Sequence, residues 1–205
     1  GSFGDLLLTA VWDVYDVRLK ESDGNYTVIG INTDKTDIVI KSSYKGKPVT
    51  SIGSSAFSGW SKLTSVTIPE SITSIGSSAF SECPELTDVI WNAENCVSEG
   101  SSSAPIFKSC YKLVNLTIGK NVKHIPLYTF YEYNKIANIY ITDLTAWCKI
   151  SDLSNIMNYG SNEKRLYLND ELVTDLVIPD SVTSIGVKAF YKCIGLTSAT
   201  LGHGV

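Results

Sequence analysis

Long apolar runs, basic clusters and histidines are all scarce in this chain of 205 residues. No apolar stretch reaches the roughly 18–20 residues that a membrane-crossing helix needs, so we expect no membrane insertion within the chain. The 17 lysines and arginines form no run and the net charge is −4, which argues against binding to nucleic acid. With 43% apolar and 19% charged residues, the composition instead predicts one globular domain with a packed core.

Residues for metal binding or catalysis are also sparse. The five cysteines form no CxxC pair, and the two histidines, His124 and His203, stand in no spacing typical of zinc ligands. His124 occupies the position that Ser74 and Ser184 take in other copies of the repeat described below, which predicts an exposed side chain. We therefore expect no metal, no cofactor and no catalytic residue, and an enzyme is the least favoured class of function.

A repeat organises most of the chain. The copies that begin at Leu63 and Val173 read "LTSVTIPESITSIGSSAFSECPE" and "VTDLVIPDSVTSIGVKAFYKCIG", and a looser copy begins at Leu113. A period of 20 to 29 residues with L-x-x-L-x-L spacing is typical of a leucine-rich repeat. One phenylalanine marks each copy, at intervals of 23, 27, 23 and 60 residues, for Phe57, Phe80, Phe107, Phe130 and Phe190.

Each copy has to stack on its neighbours. In Leu63-x-x-Val66-x-Ile68 the last two apolar residues alternate as in a strand with one buried face, and the next turn brings Phe80 inward on a short helical or 3₁₀ segment. A single coil would leave these side chains in water, whereas stacked coils bury them. The sequence therefore predicts a mainly β, right-handed solenoid of about six coils of 23 residues.

The parts outside the repeat suggest a domain plan. Alternating residues on both sides of Asp23-Gly24 predict a hairpin over residues 11–31, which we expect to cap the first coil within a segment 11–34. Residues 35–205 form the predicted solenoid, with insertions near 92–105 and 142–172. Residues 1–10 are interpreted as a tag remnant or linker, and "LTSATLGHGV" as a coil cut short, so we expect a fragment of a longer protein.

Within the 142–172 insertion, "RLYLNDELV" predicts a second hairpin that turns at Asn169-Asp170. Trp147 and Ile150 are expected to anchor the preceding segment to the core. Cys83, Cys110 and Cys193 each follow a repeat phenylalanine by three residues, where the first coil has an aromatic residue instead, and are predicted to be small buried fillers.

The wording "IPxSVTSIGxxAFxxCxxLTxVxIP" at residues 68–90 and 178–201 resembles the BspA-like, or type-5, leucine-rich repeat family. "WNAENC" at residues 91–96 is similar to variant units of bacterial members. The resemblance implies a secreted or surface-displayed protein of a host-associated bacterium, in a family whose characterised members mediate adhesion. It implies no catalytic motif.

The outward-facing strand residues of such a solenoid line a concave face, which is where solenoids bind. We predict a ligand site there, for a host or extracellular-matrix protein or a glycan, formed by residues from four strands. An alternative is that strand preference alone explains the Thr, Val, Ile and Tyr residues. A second function, a structural spacer that presents another domain, also remains open. The predicted site residues are Asp88, Ile90, Asn115, Thr117, Asn138, Tyr140, Asp175 and Val177.

The spacing of two acids of this face, Asp88 and Asp175, also indicates whether the chain could be a glycosidase. A glycosidase needs two carboxylates about 5 to 9 Å apart. With two coils between them, these two are expected to lie about 14 Å apart. A carboxylate pair for glycoside hydrolysis is therefore not predicted.

Overall fold

The computed structural model describes residues 15–131, 135–151, 153–161 and 163–205. Residues 1–10, interpreted from sequence as a tag remnant or linker, and residues 11–14 of the predicted hairpin lie outside this range. The described chain is a β-solenoid of about seven turns, close to the expected number.

The main sheet contains seven strands in the order β13-β12-β11-β10-β8-β6-β3, and all but β13 run parallel. Consecutive turns of the solenoid contribute neighbouring strands, as the stacking of repeats requires. Its strands are β3 (Asp37–Val39), β6 (Ser65–Ile68), β8 (Asp88–Trp91), β10 (Asn115–Ile118), β11 (Asn138–Ile141), β12 (Arg165–Leu168) and β13 (Glu171–Leu172).

A second sheet follows the order β1-β2-β5-β7-β9, with β4 paired to β5. The predicted N-terminal hairpin is present as β1 and β2, and it turns at Asp23-Gly24, both with positive φ. Strand β2 pairs with β5 and buries Val28, so the hairpin covers the first turn. The strands are β1 (Val17–Ser22), β2 (Asn25–Ile31), β4 (Ser43–Tyr44), β5 (Lys47–Ile52), β7 (Ser74–Ile75) and β9 (Val97–Ser98).

The remaining elements are two short helices, α1 (Leu144–Lys149) and α2 (Ser154–Met157), and a terminal sheet formed by β14 (Asp175–Val177) and β15 (Ser198–Thr200). Asp143 caps α1, since its carboxylate accepts a hydrogen bond from the backbone N–H of Ala146. Trp147 and Ile150 are buried as predicted, and the Trp147 indole donates to the carbonyl of Ala189 at 3.1 Å.

A column of aromatic rings runs through the core. Phe57, Phe80, Phe107 and Phe130 are buried, and their rings stack in order with centroid distances of 4.7, 5.0 and 5.2 Å. Phe190, in the last layer, is half-buried. The alternation predicted for Val66 and Ile68 is confirmed, since both are buried, and the inward column of the main sheet continues from Val66 through Val89, Leu116 and Ile139 to Leu166 of β12.

The segment 142–172 departs most from the sequence interpretation. The hairpin at Asn169-Asp170 is confirmed, with β12 and β13 antiparallel. Its first strand, however, also continues the parallel ladder, since β12 pairs with β11 from Asn138↔Arg165 to Ile141↔Leu168. The segment is thus partly a further turn of the solenoid, and the antiparallel β13 ends the main sheet there.

All five cysteines are free, and Cys83, Cys110, Cys96 and Cys148 are buried, whereas Cys193 is half-buried. The prediction that the repeat cysteines fill the core is confirmed for Cys83 and Cys110. Their thiols donate to the carbonyls of the preceding layer's phenylalanines, Phe57 and Phe80, at 3.2 and 3.0 Å respectively.

Candidate functional site

The outer face of the main sheet carries the side chains that point away from the core. Each of the six parallel strands shows the same alternation, in which the first and third residues are partly or fully exposed and the second is buried. The two outward columns are Asp37, Ser65, Asp88, Asn115, Asn138 and Arg165, and Val39, Thr67, Ile90, Thr117, Tyr140 and Tyr167.

The first column is linked by hydrogen bonds between neighbouring strands. The side-chain amide of Asn115 donates to the Asp88 carboxylate at 2.8 Å, and the side-chain amide of Asn138 donates to Oδ1 of Asn115 at 2.9 Å. Ser65 likewise donates to Asp37 at 2.7 Å, which helps hold the pKa of that carboxyl below its usual range. The column therefore contains two hydrogen-bonded groups, Asp37–Ser65 and Asp88–Asn115–Asn138, in which the side chains hold one another in place.

The second column contains an aromatic pair. The Tyr140 and Tyr167 rings stack with centroids 4.7 Å apart and planes 14° apart. This distance matches the spacing of adjacent strands, about 4.7–4.9 Å, because the two residues are in register on β11 and β12. Both rings are half-buried on the outer face, so neither belongs to the core.

A hollow of about 250 Å³ opens beside this pair. Thr117 forms part of its lining, Tyr140 forms a wall, and the carboxylates of Asp88 and Asp170 border it. Partial burial, followed by the charges of Tyr167, Asp88 and Asp170, raises the pKa of the Tyr140 phenol. Both carboxylates thus lie close enough to act on the phenol electrostatically.

Six of the eight sequence-predicted site residues lie together on this face: Asp88, Ile90, Asn115, Thr117, Asn138 and Tyr140. Asp175 and Val177 do not join them, because β14 belongs to the terminal sheet with β15. Three strands, β10, β11 and β12, follow β8 in the main sheet, so the expectation of two coils between Asp88 and Asp175 was wrong.

Sequence analysis missed three residues of this face, Arg165, Tyr167 and Asp170. A signal was present: "RLYL" at Arg165 repeats the pattern of "NIYI" at Asn138. Arg165 also lies 27 residues after Asn138, the spacing that separates Asp88 from Asn115.

A second hollow, of about 400 Å³, lies beyond the ends of β8, β10 and β11, next to helix α1. Lys120, Lys123 and Lys149 line it together with Glu94 and Asp143, and Lys123 forms an ion pair with Glu94. Positive and negative side chains nearly balance in this hollow, and none of the sequence-predicted site residues is part of its lining.

Within the described ranges, no cluster of three or more His, Cys, Asp or Glu residues is arranged to hold a metal ion. None of the helices in the same part of the chain combines the length and apolar character that a bilayer crossing needs.

Comparison with known proteins identifies the repeat. The family model described as "BspA type Leucine rich repeat region" matches in six copies over residues 32–151 and 161–205. None of the curated proteins matches the chain.

Three solved structures illustrate the similarity. A T. pallidum leucine-rich repeat protein is 17% identical, with 93% of this chain and 80% of that chain covered and a TM-score of 0.44. A leucine-rich cell surface protein of Faecalibacterium prausnitzii A2-165 is 20% identical, with 91% and 53% covered and a TM-score of 0.40. The pneumococcal vaccine antigen PcpA is 15% identical, with 92% and 49% covered and a TM-score of 0.34. The chain spans about half the length of the latter two.

Proposed function

The chain belongs to the BspA-type leucine-rich repeat family, and from this premise we propose that it is a non-enzymatic binding module of a bacterial cell surface. Its ligand is a host or extracellular-matrix protein or a glycan, held on the outer face of the main sheet. Repeat solenoids bind through such extended faces, and family membership supports a location at the surface.

The observation that carries this proposal is the Tyr140–Tyr167 pair. Two stacked aromatic rings on the outer face contribute nothing to the core, and they adjoin the hydrogen-bonded row Asp88–Asn115–Asn138. Aromatic anchors surrounded by polar groups are typical of the residues that dominate binding energy at interfaces. Strand preference alone accounts for single tyrosines, but it does not account for a hollow lined by one of them.

An array of extracellular-matrix proteins and glycans tests the proposal. The parent chain is compared with the double variant Tyr140→Ala/Tyr167→Ala and with Tyr111→Ala, which removes an exposed tyrosine outside the strands. We expect the double variant to lose binding by at least about tenfold, as for removal of an interface anchor, and Tyr111→Ala to keep it.

Two results would count against the outer face as the site. Equal binding by the parent and the double variant would place the ligand elsewhere on the chain. No binding to any member of the array would favour the alternative function, a spacer that presents another domain of a longer surface protein.

A further inference from the structure

The hollow beside Tyr140 lies next to the short side chain of Thr117, on the side of Tyr140 that faces away from Tyr167. One face of the Tyr140 ring is covered by Tyr167 at 4.7 Å, and the neighbour of Tyr140 on its other side is the short Thr117. The next residue of the column beyond Thr117 is Ile90. With strands about 4.7–4.9 Å apart, a planar group above Thr117 would lie one strand spacing from Tyr140 and one from Ile90, which is stacking distance on both sides.

The polar groups that line this hollow accept hydrogen bonds or carry hydroxyls, and its charged groups are acidic. They are the carboxylates of Asp88 and Asp170 and the hydroxyls of Thr117, Thr142 and Tyr140, and among the residues that the structure describes no lysine or arginine lines the hollow. Neither carboxylate forms an ion pair with another described residue. The hollow therefore presents negative charge beside an aromatic face.

Resting on the proposed function of the outer face, we propose that this hollow binds the guanidinium group of an arginine side chain from a protein partner. Guanidinium is planar and permanently charged, donates hydrogen bonds in several directions and stacks on aromatic rings. The hollow offers a match for each property: an aromatic face on Tyr140, acceptor groups along its lining, and two carboxylates that form no ion pair with a described residue. A neutral sugar ring would also stack on Tyr140, but it would leave both carboxylates without a counter-charge.

Two short peptides with blocked ends provide the probe, one with a central arginine among glycines and one with citrulline in its place. Citrulline keeps the planar shape and removes the charge. Each is titrated to millimolar concentration into the folded chain while the NMR signals of the tyrosine rings are followed, with Tyr140 and Tyr167 assigned through their Tyr→Phe variants. The neutral trisaccharide maltotriose serves as the glycan probe.

We expect the arginine peptide to shift the Tyr140 and Tyr167 signals and to bind at least about tenfold more tightly than the citrulline peptide, with an affinity that falls as salt rises. Asp88→Asn and Asp170→Asn should each weaken this binding. Asparagine adopts the left-handed backbone of Asp170, whose φ is 67°, without strain, so the second change removes charge only. Asp34→Asn, an exposed acid outside the hollow, is the matched control and should bind as the parent does.

Equal binding of the two peptides, or no effect of the arginine peptide on Tyr140 and Tyr167, would overturn the inference. So would maltotriose binding at Tyr140 that survives both Asp→Asn changes. In that last case the outer face would still be a binding surface, so the proposed function would stand while the arginine site fell. If array binding is also insensitive to the loss of both tyrosines, the proposed function falls as well.

Discussion

Removing the Phe80 ring should destabilise the solenoid strongly, because Phe80 lies inside the stack of repeat phenylalanines. Phe80 is fully buried and stacks on Phe57 at 4.7 Å and on Phe107 at 5.0 Å. Truncation of a buried phenylalanine to alanine costs about 3–5 kcal/mol. Each ring pair adds about 0.5–1.5 kcal/mol beyond the buried area, and Phe80→Ala removes two pairs. We therefore expect a loss near the upper end, about 5 kcal/mol.

Phe190→Ala is the matched control. Phe190 holds the same position in its repeat, but it is half-buried and stacks on no other ring in the described part of the chain. About half of the transfer free energy of a phenylalanine is at stake there, so the expected loss is about 0.8–1.5 kcal/mol.

Urea unfolding followed by circular dichroism measures both losses. For a chain of this size, about 5 kcal/mol corresponds to a fall in Tm of roughly 10–20 °C. A loss below about 1 kcal/mol for Phe80→Ala, or equal losses for the two variants, would refute the placement of Phe80 within a continuous ring stack.

Three further predictions concern the interior. Burial lowers the pKa of Lys164 from 10.5 to about 8. Between these two pH values Lys164 is protonated in the unfolded chain and neutral in the folded chain. The free energy of unfolding should therefore rise with pH across this window, by up to about 3 kcal/mol from this group. The difference in unfolding free energy between the parent and Lys164→Met should change across that window, and a constant difference would contradict the burial. Burial also raises the pKa of Cys96 to about 12 and of Cys193 to about 11. Both thiols should therefore react slowly with a thiol reagent at pH 8 until urea unfolds the chain. Fast reaction of either thiol in the folded chain would contradict this. A Cβ on Gly76 would overlap the backbone nitrogen of Ser54 in the preceding layer. Gly76→Ala should therefore lower the free energy of unfolding by about 1–3 kcal/mol in the same urea assay. An unchanged urea midpoint would show that the two layers move apart without cost.

The repeat core could be predicted because its physics is local and recurrent. Phe57 and Phe80 occupy the same position in two nearly identical segments, so one packing solution applies to both. The outward direction of Tyr140 followed from strand alternation in the same way.

The rest of the site was not predicted, although the strand pattern of Tyr140 recurs at Tyr167. Residues 142–172 widen the interval between repeat phenylalanines, and two helices that no other described copy of the repeat shares separate the two tyrosines. Asp175 lies in the terminal sheet because the antiparallel strand β13 ends the main sheet before it. This depends on tertiary structure and not on the local repeat pattern.

The burial of Lys164 had no sequence signal at all. Its ammonium donates to the carbonyls of Ile136 and Tyr159 at 2.5 and 2.7 Å, and these partners lie 28 and 5 residues away. Only the folded chain brings the two acceptors together, so a charged residue that sequence patterns place at the surface is enclosed instead.

Photo-crosslinking from the outer face tests the central claim, that ligands bind on the outward columns of the main sheet. A benzophenone side chain at Thr67 lies in the column of Tyr140 without filling the hollow, and one at Val187 lies at an exposed position outside the strands. With a partner identified on the array, we expect a crosslinked product from position 67 and none from position 187. Crosslinking from position 187 alone would contradict the claim.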